Sequence, residues 1–300
     1  MYIHTLNDHL RSRFGRKIYK LSLTSGCTCP NRDGTLGMRG CIFCDGAGAF
    51  AECGSIPEQL AAAKARVAAK VGADAGYIAY FQAFTNTYGP VERLRPLFLS
   101  AMEPGDVVVL SIATRPDCLS DEVIDLLAEL CSIKPVWVEL GLQTIHPQTA
   151  AWMRRGYDLP VFDDAVRRLK AVGAEVIVHQ ILGLPGETLA DMAATACYIG
   201  RSGVNGVKFH LLHVLRGTDL EAEWRAGRVP SMELEDYIAA LETCIRQIPR
   251  EMVIHRMTGD GAKRDLLAPM WSGDKKRVLN TIHAAFLRDD LEQGSALNKI

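Results

Sequence analysis

The chain has 300 residues, of which 48% are hydrophobic and 23% charged, and its formal net charge is −1. This composition excludes a disordered or fibrous protein and predicts a globular chain that buries roughly 75% of its unfolded surface. No run approaches the roughly 20 apolar residues that span a bilayer, and residues 1–20 are too polar for a signal peptide. We therefore expect a cytoplasmic protein with no membrane partner.

Short apolar or β-branched runs alternate with longer stretches of helical period. After a long first unit the runs recur roughly every 30 to 40 residues, which predicts βα units with right-handed crossovers and a parallel sheet. The predicted strands are 18–23, 77–81, 107–112, 136–140, 175–180 and 207–212, and the predicted helices between them are 57–71, 91–102, 121–131, 160–172 and 189–201.

Small or polar residues follow nearly every predicted strand. In a closed or nearly closed parallel barrel these exits converge on one rim, where the active sites of such folds lie. An open sheet would gather them at one crevice, and loops are polar in any fold. Because small or polar residues follow six predicted strands, we favour the α/β class and a partial (β/α)6 barrel resembling the TIM barrel.

The βα alternation stops at about Thr218. A charged helical pattern then covers 232–246, a strand-like run 252–255, a loop 256–265 and a final helix 275–287. We predict a core domain at 1–217 and an α-rich C-terminal extension at 218–300 that packs on the core.

Five of the nine cysteines crowd the region after the first strand: Cys27, Cys29, Cys41, Cys44 and Cys53. In a chain without an export signal, reduced thiols are expected, and the Cys-x-x-Cys spacing of Cys41 and Cys44 indicates a metal site. Four thiolates, from Cys27 to Cys44, would make a closed zinc site. Three would hold three irons of a cubane and leave the fourth open. The isolated thiols are expected to be structural: Cys53, Cys118, Cys131, Cys197 and Cys244.

Two segments of this loop carry a family resemblance. Cys29-Pro-Asn-Arg-Asp-Gly-Thr35 and Gly40-Cys41-Ile-Phe-Cys44 resemble the cluster loop of radical S-adenosylmethionine (SAM) proteins, in a subfamily related to the catalytic subunit of Elongator. The resemblance runs nearly end to end. It continues through residues 82–88, 114–119, 139–143, 183–187, 208–212 and 255–261. The chain departs from the family in carrying Cys27 and in reading Arg154-Arg155-Gly156-Tyr157 where relatives tend to have Asn-Arg-Gly-His.

The resemblance implies an enzyme that uses a 4Fe–4S cluster and SAM. It implies that Cys29, Cys41 and Cys44 are the cluster ligands and that Cys27 is not. The amino and carboxylate groups of SAM chelate the open iron in this family. An electron from the cluster then cleaves SAM to methionine and a 5′-deoxyadenosyl radical, which abstracts hydrogen from the substrate.

The resemblance also implies roles around SAM and the substrate. The implied contacts are Gln82, Thr85, Asn86 and Thr87 near the methionyl amine, Glu139 and Gln143 at the ribose, Arg155 at the methionyl carboxylate, Gly183 and Gly186 at the adenine, and His179, Lys208 and His210 at the substrate. A plain turn would also explain the two glycines. Histidines within apolar strands are more often hydrogen-bonded core residues.

Kinship with Elongator suggests remodelling of a C5 substituent on a tRNA wobble uridine, with an electron donor of the flavodoxin or ferredoxin class. An acetyl-CoA reaction is not expected, because 300 residues leave no room for an acetyltransferase domain. Two alternatives stay open: a radical SAM enzyme acting on a small metabolite, and a non-catalytic, zinc-stapled RNA-binding barrel. Phosphate contacts are expected among Arg11, Arg13, Arg16, Lys17 and Lys20 and among Lys263, Arg264, Lys275, Lys276 and Arg277.

Overall fold

The computed structural model describes residues 1–46, 54–72, 74–259 and 263–297. Within these residues seven strands form one parallel sheet, whose spatial order is β1 (Ile18–Leu23), β2 (Gly76–Phe81), β3 (Val107–Thr114), β4 (Val136–Gln143), β5 (Glu175–Leu182), β6 (Gly206–Leu211) and β8 (Val253–Arg256). Strands β7 (Val214–Leu215) and β9 (Leu266–Ala268) form a small antiparallel pair.

Ten α-helices are present in the described part of the chain. They are α1 (Leu6–Phe14), α2 (Ile56–Val67), α3 (Val91–Met102), α4 (Asp121–Ile133), α5 (Pro147–Trp152), α6 (Leu159–Ala171), α7 (Leu189–Arg201), α8 (Asp219–Arg225), α9 (Leu234–Ile245) and α10 (Lys275–Arg288). Side-chain N-caps determine where several of these helices begin. Ser120 caps α4 by accepting from the Val123 amide, and Thr188 caps α7 in a capping box with Asp191.

Alternate residues of each strand face opposite sides of the sheet. In β4, Val138 and Leu140 pack into the large core under the helices, whereas Trp137 packs with Tyr80 and Leu10 of α1 in a smaller inner core. Helix α1 therefore closes the amino-terminal end of the barrel, and the opposite end holds the strand exits.

The sheet is curled into a partial barrel. Lys20 on β1 and Lys208 on β6 lie five strands apart, roughly 24 Å on a flat sheet, yet both ammonium groups contact the Glu139 carboxylate on β4. The predicted α/β class and TIM-like partial barrel are thus confirmed.

The extent of the sheet differs from the prediction in one respect. Six strands were expected, but β8, from the region assigned to the C-terminal extension, pairs in parallel with β6 as a seventh. Residues of α9 and α10, including Leu241 and Phe286, share the large core with Leu23 of β1. The division into 1–217 and 218–300 stays a prediction.

None of the helices in the described ranges has both the length and the apolar character needed to cross a membrane.

Candidate active site

The carboxyl ends of the strands surround a cavity of about 310 Å³. Most of the predicted site residues line it: Cys29, Cys41, Cys44, Gln82, Thr85, Glu139, Gln143, Arg155, His179 and His210. Residues that are far apart in sequence therefore meet at one rim, which is where parallel barrels bind substrates and cofactors.

The three predicted cluster ligands share this cavity. Cys29, Cys41 and Cys44 are free and partly exposed thiols in its wall. Cys27 is 6% exposed and packs in the large core beneath the helices. In the described ranges no three His, Cys, Asp or Glu side chains form a group that would hold a single metal ion, so the four-cysteine zinc alternative finds no site there.

The donor set fits an iron–sulfur cluster. Thiolates on a cubane bind different irons and need not converge on one point, as the ligands of a single zinc must. The guanidinium groups of Arg32 and Arg115 lie close enough to the thiols to interact with them electrostatically. A thiolate-bound cluster is anionic, so two nearby cations favour it.

The other cysteines have the environment of structural thiols. Burial raises the pKa of Cys118 to about 12 and that of Cys131 to about 11, which suppresses the reactive thiolate. Cys244 is fully buried and Cys197 is partly exposed on α7. Cys53 lies outside the described residues.

The loop after β2 brings strained backbone to the cavity. Ala83 and Phe84 both have positive φ, 68° and 57°, although neither is glycine, and both line the cavity with Gln82 and Thr85. Such strain persists at sites where the surroundings enforce it and is typical of functional loops.

Asn86 and Thr87 differ from the other predicted residues of this loop because their side chains serve the loop itself. Asn86 accepts from Ser25 Oγ at 2.7 Å and donates to the Ala113 carbonyl at 3.0 Å. Thr87 Oγ1 donates to the Cys118 carbonyl at 2.6 Å. Neither residue lines the cavity, so the structure places both behind it.

A polar layer to which six strands contribute lies under the cavity. Glu139 Oε1 accepts from Lys20 Nζ at 3.0 Å and from Ser111 Oγ at 2.9 Å, and Oε2 accepts from His179 Nε2 at 2.9 Å and from Lys208 Nζ. Tyr80 of β2 completes the layer by accepting from Lys208 at 3.2 Å.

The charges in this layer are strongly coupled. Burial by itself raises the pKa of Glu139, but the Lys20 and Lys208 ammonium groups outweigh burial and hold the pKa well below its ordinary value. The ionised carboxylate therefore neutralises one of two cations. Its four acceptor positions are already taken, which leaves the predicted ribose contact without an open lone pair in this conformation.

Lys208 also differs from its predicted place. It shares the inner face with His210, as expected, but it is 2% exposed and does not line the cavity. Its ammonium is committed to Glu139 and Tyr80, because a buried cation needs partners. Lys20, expected among the phosphate-binding residues, is drawn into the same layer.

The end of β4 shapes the cavity wall. Gln143 has a positive φ of 64° at an irregularity in the pairing with β5. Arg155 is buried, and three of its N–H groups donate to the carbonyls of Tyr157, Leu142 and Thr144 at 3.0, 3.2 and 2.7 Å. These bonds fix the guanidinium at the cavity edge.

The two glycines after β5 lie outside the cavity lining. Gly183 and Gly186 have φ values of 85° and 82°, as tight turns require. Their predicted contact with adenine stays a prediction.

A second chamber of about 280 Å³ adjoins the first. It shares Gln143, His179 and His210 with the main cavity and extends toward Leu212 and Leu215. Phe43 and Arg256 also line both chambers, and neither was singled out from the sequence. Phe43 lies within the Cys41–Cys44 segment, but nothing in its local pattern indicated that it would line both chambers.

Arg115 is a further residue that sequence reasoning missed. It lies at the exit of β3, lines the cavity, forms two hydrogen bonds with Asp117 at 2.9 and 2.7 Å and covers the Tyr157 ring at 5.3 Å. The polar exit containing it was noted, but only the fold shows that this arginine lies beside Cys29 and Cys41.

The titration of His179 gives a testable pH dependence. Burial, opposed by the hydrogen bond to Glu139, lowers the pKa of His179 to about 4. The unfolded chain binds this proton near pH 6.5 and the folded chain only near pH 4, so folding stability falls as the pH falls between these values.

His179→Gln keeps a donor for Glu139 but cannot titrate. Between pH 7 and pH 5 we expect the variant to lose up to about 2 kcal/mol less folding stability than the parent protein loses. Urea unfolding of the cluster-free protein at both pH values measures this difference. An identical pH dependence in the variant and the parent protein would contradict the assignment.

Three comparisons place the chain among known proteins. Residues 29–199 match the family described as the Radical SAM superfamily, and residues 204–288 match the Radical_SAM C-terminal domain. The uncharacterized protein YtqA of Bacillus subtilis is 42% identical over 301 residues, covering 99% of this chain and 93% of that protein.

Two further proteins are similar over parts of their length. The tRNA uridine(34) acetyltransferase of Methanocaldococcus jannaschii is 27% identical over 159 residues, which cover 51% of this chain and 28% of that enzyme. The solved structure of the archaeal Elp3 of Methanocaldococcus infernus superposes with a TM-score of 0.68 at 18% identity, covering 93% of this chain and 64% of that one. The second likeness concerns the fold.

Proposed function

Because this chain belongs to the radical SAM superfamily, whose members are enzymes that use a 4Fe–4S cluster and SAM, we propose that Cys29, Cys41 and Cys44 hold that cluster and that the enzyme remodels a C5 substituent of a tRNA wobble uridine. The main support for this proposal is that these three thiols line one cavity at the barrel rim, whereas Cys27 packs in the large core. The expected radical SAM subfamily, related to the catalytic subunit of Elongator, is confirmed.

When bound, the cluster and SAM would supply the reductive radical chemistry of the superfamily, in which hydrogen is abstracted from the substrate. The protein residues bind and orient. Gln82 and Thr85 are proposed to contact the methionyl amine, and Gln143 the ribose, because all three line the main cavity. Glu139 is proposed to fix the floor of the cavity through the polar layer.

Arg155 is proposed to bind the methionyl carboxylate. A guanidinium has five N–H donors, and three of them already hold the group to backbone carbonyls. The remaining Nη2 donors are suited to a charge-assisted bond with a carboxylate. Such prior fixation lowers the entropic cost of SAM binding.

The substrate is proposed to enter through the second chamber. His179, His210 and Arg256 border both chambers, so a group bound there adjoins the proposed SAM site. The apolar Leu212 and Leu215 at the far side help to exclude water from a reactive radical. An RNA substrate is supported by the partial likeness to a tRNA uridine(34) acetyltransferase.

Activity tests the proposal directly. We expect anaerobically reduced protein to form 5′-deoxyadenosine from SAM and to alter a uridine in tRNA from a strain that lacks the gene. Dithionite serves as reductant, and a donor of the flavodoxin or ferredoxin class is proposed in the cell. Cleavage of SAM without any change in tRNA nucleosides favours the small-metabolite alternative, and no cleavage at all contradicts radical chemistry.

Surface charge offers a test of RNA binding. Lys263 and Arg264 are exposed and precede β9, which pairs with β7 just beyond the carboxyl end of β6, at the cavity end of the barrel. Residues 11–17, by contrast, precede β1 at the opposite end of the barrel. Lys263 and Arg264 are therefore better placed than residues 11–17 to contact tRNA phosphates while a base occupies the cavity.

We expect the double variant Lys263→Ala, Arg264→Ala to weaken tRNA binding and to flatten its salt dependence. The slope of log K against log salt concentration should fall by about 0.7 to 0.9 for each phosphate that the variant no longer neutralises. Filter binding at several salt concentrations measures it. Arg167→Ala with Arg201→Ala, on the exposed faces of α6 and α7, is the matched control. Equal slopes for both double variants would contradict the assignment.

A further inference from the structure

We propose that Asn31 is a positioning residue that tunes the reduction potential of the cluster by donating a hydrogen bond to the sulfur of Cys41. This inference rests on the proposed cluster ligands and adds to them a residue whose role is electronic and geometric. It concerns the side-chain amide of Asn31, which has two N–H donors and one carbonyl acceptor.

The amide lies between a ligand sulfur and a backbone carbonyl. Asn31 Nδ2 is 3.5 Å from Cys41 Sγ and 2.7 Å from the Arg154 carbonyl oxygen. The residue is 5% exposed, so water does not compete for these donors. One N–H on each acceptor satisfies the whole NH₂ group.

The Cys41 segment is held by Asn31 a second time. The backbone amide of Gly40, the residue before the ligand, donates to the backbone carbonyl of Asn31 at 2.7 Å. Asn31 therefore fixes both the backbone approach to Cys41 and the environment of its sulfur. A side chain that only stabilised the loop would need no contact with the sulfur.

The Arg154 carbonyl, which accepts from Asn31, lies next to the proposed SAM site. Arg154 has a positive φ of 61°, and it directly precedes Arg155. Gly156 follows with a φ of 83°, and a Cβ there would lie 3.1 Å from Asn31 Oδ1. Asn31 thus ties the cluster ligand to the turn that carries the proposed carboxylate-binding arginine.

Hydrogen bonds to the sulfurs of an iron–sulfur cluster stabilise the more negative, reduced state and raise its potential. Loss of the Asn31 donor is expected to shift the midpoint potential to a more negative value. Asn31→Asp is the sharpest variant, because it keeps the shape, removes both donors and adds a negative charge beside the sulfur. Asn31→Ser removes the amide without adding charge.

The test is a dye-mediated redox titration of the anaerobically purified holoenzyme, monitored by electron paramagnetic resonance. Gln59→Glu is the matched control, since Gln59 is a buried amide that bonds Thr24 and Gly54 in the same region without touching the proposed ligands. We expect a negative shift for both Asn31 variants, larger for Asn31→Asp, and none for Gln59→Glu.

The outcomes separate this inference from the proposed function. A wild-type protein without a cluster overturns the proposed ligands. A normal wild-type cluster, with midpoint potentials unchanged in both Asn31 variants, overturns only the role of Asn31. If both Asn31 variants lose iron while keeping the wild-type unfolding midpoint, and Gln59→Glu keeps its iron, the positioning role is supported.

Discussion

Cys41→Ser is expected to abolish both cluster assembly and SAM cleavage, whereas Cys27→Ser keeps both. Cys41 lies in the cavity wall with Cys29 and Cys44, and a serine hydroxyl is a poor ligand for iron in a sulfur-rich cluster. Cys27 is buried in the large core, where a serine of similar size changes packing little. The two variants thus separate ligation from the mere presence of a thiol in this loop.

Iron and sulfide content, the visible absorbance of the cluster and 5′-deoxyadenosine formation are the measurements. We expect loss of all three in Cys41→Ser, and the same in Cys29→Ser and Cys44→Ser. A Cys27→Ser protein that loses its iron while Cys41→Ser keeps it would show that the ligand set is wrong.

Glu139→Ala is expected to destabilise the fold by about 3–5 kcal/mol, because it leaves Lys20 and Lys208 without their shared carboxylate inside the barrel. This is the cost of breaking a buried ion pair by removing one partner. Urea unfolding of the cluster-free protein at pH 7 measures it. Glu175→Ala on β5, which breaks a partly exposed pair with Arg13 of α1, is the control and should cost at most about 1 kcal/mol.

A second variant separates charge burial from side-chain loss. The double change Glu139→Leu, Lys208→Met replaces two buried charges with apolar groups and should be less destabilising than Glu139→Ala, because one unpaired ammonium is removed with the carboxylate. If Glu139→Ala cost no more than Glu175→Ala, the polar layer would have no structural role.

Much of the fold was accessible from the sequence because hydrophobic period and strand length are local properties. Strand 18–23 and helices 91–102 and 189–201 match the structure residue for residue. Strands β3 to β5 extend two or three residues further than predicted, since their last residues stay paired with neighbouring strands. Helix α5 has six residues, too few to show a helical period.

The pairing of β8 with β6 was not predicted, because it joins Val253 to Gly206 across a long helical segment and leaves no local signal. The same limit applies to the site. The cysteine spacing is a local pattern, and it indicated a loop that the structure places in the cavity wall. The polar layer draws Lys20, Glu139 and Lys208 from separate strands, so their mutual contact follows only from the curl of the sheet.

The central claim is that three thiols at the barrel rim hold a cubane cluster that cleaves SAM. Metal and sulfide analysis of protein purified without oxygen, followed by reduction in the presence of SAM, tests this claim most directly. We predict about four iron and about four sulfide ions per chain, and the formation of 5′-deoxyadenosine. A single zinc ion per chain, with no sulfide and no cleavage of SAM, would contradict it.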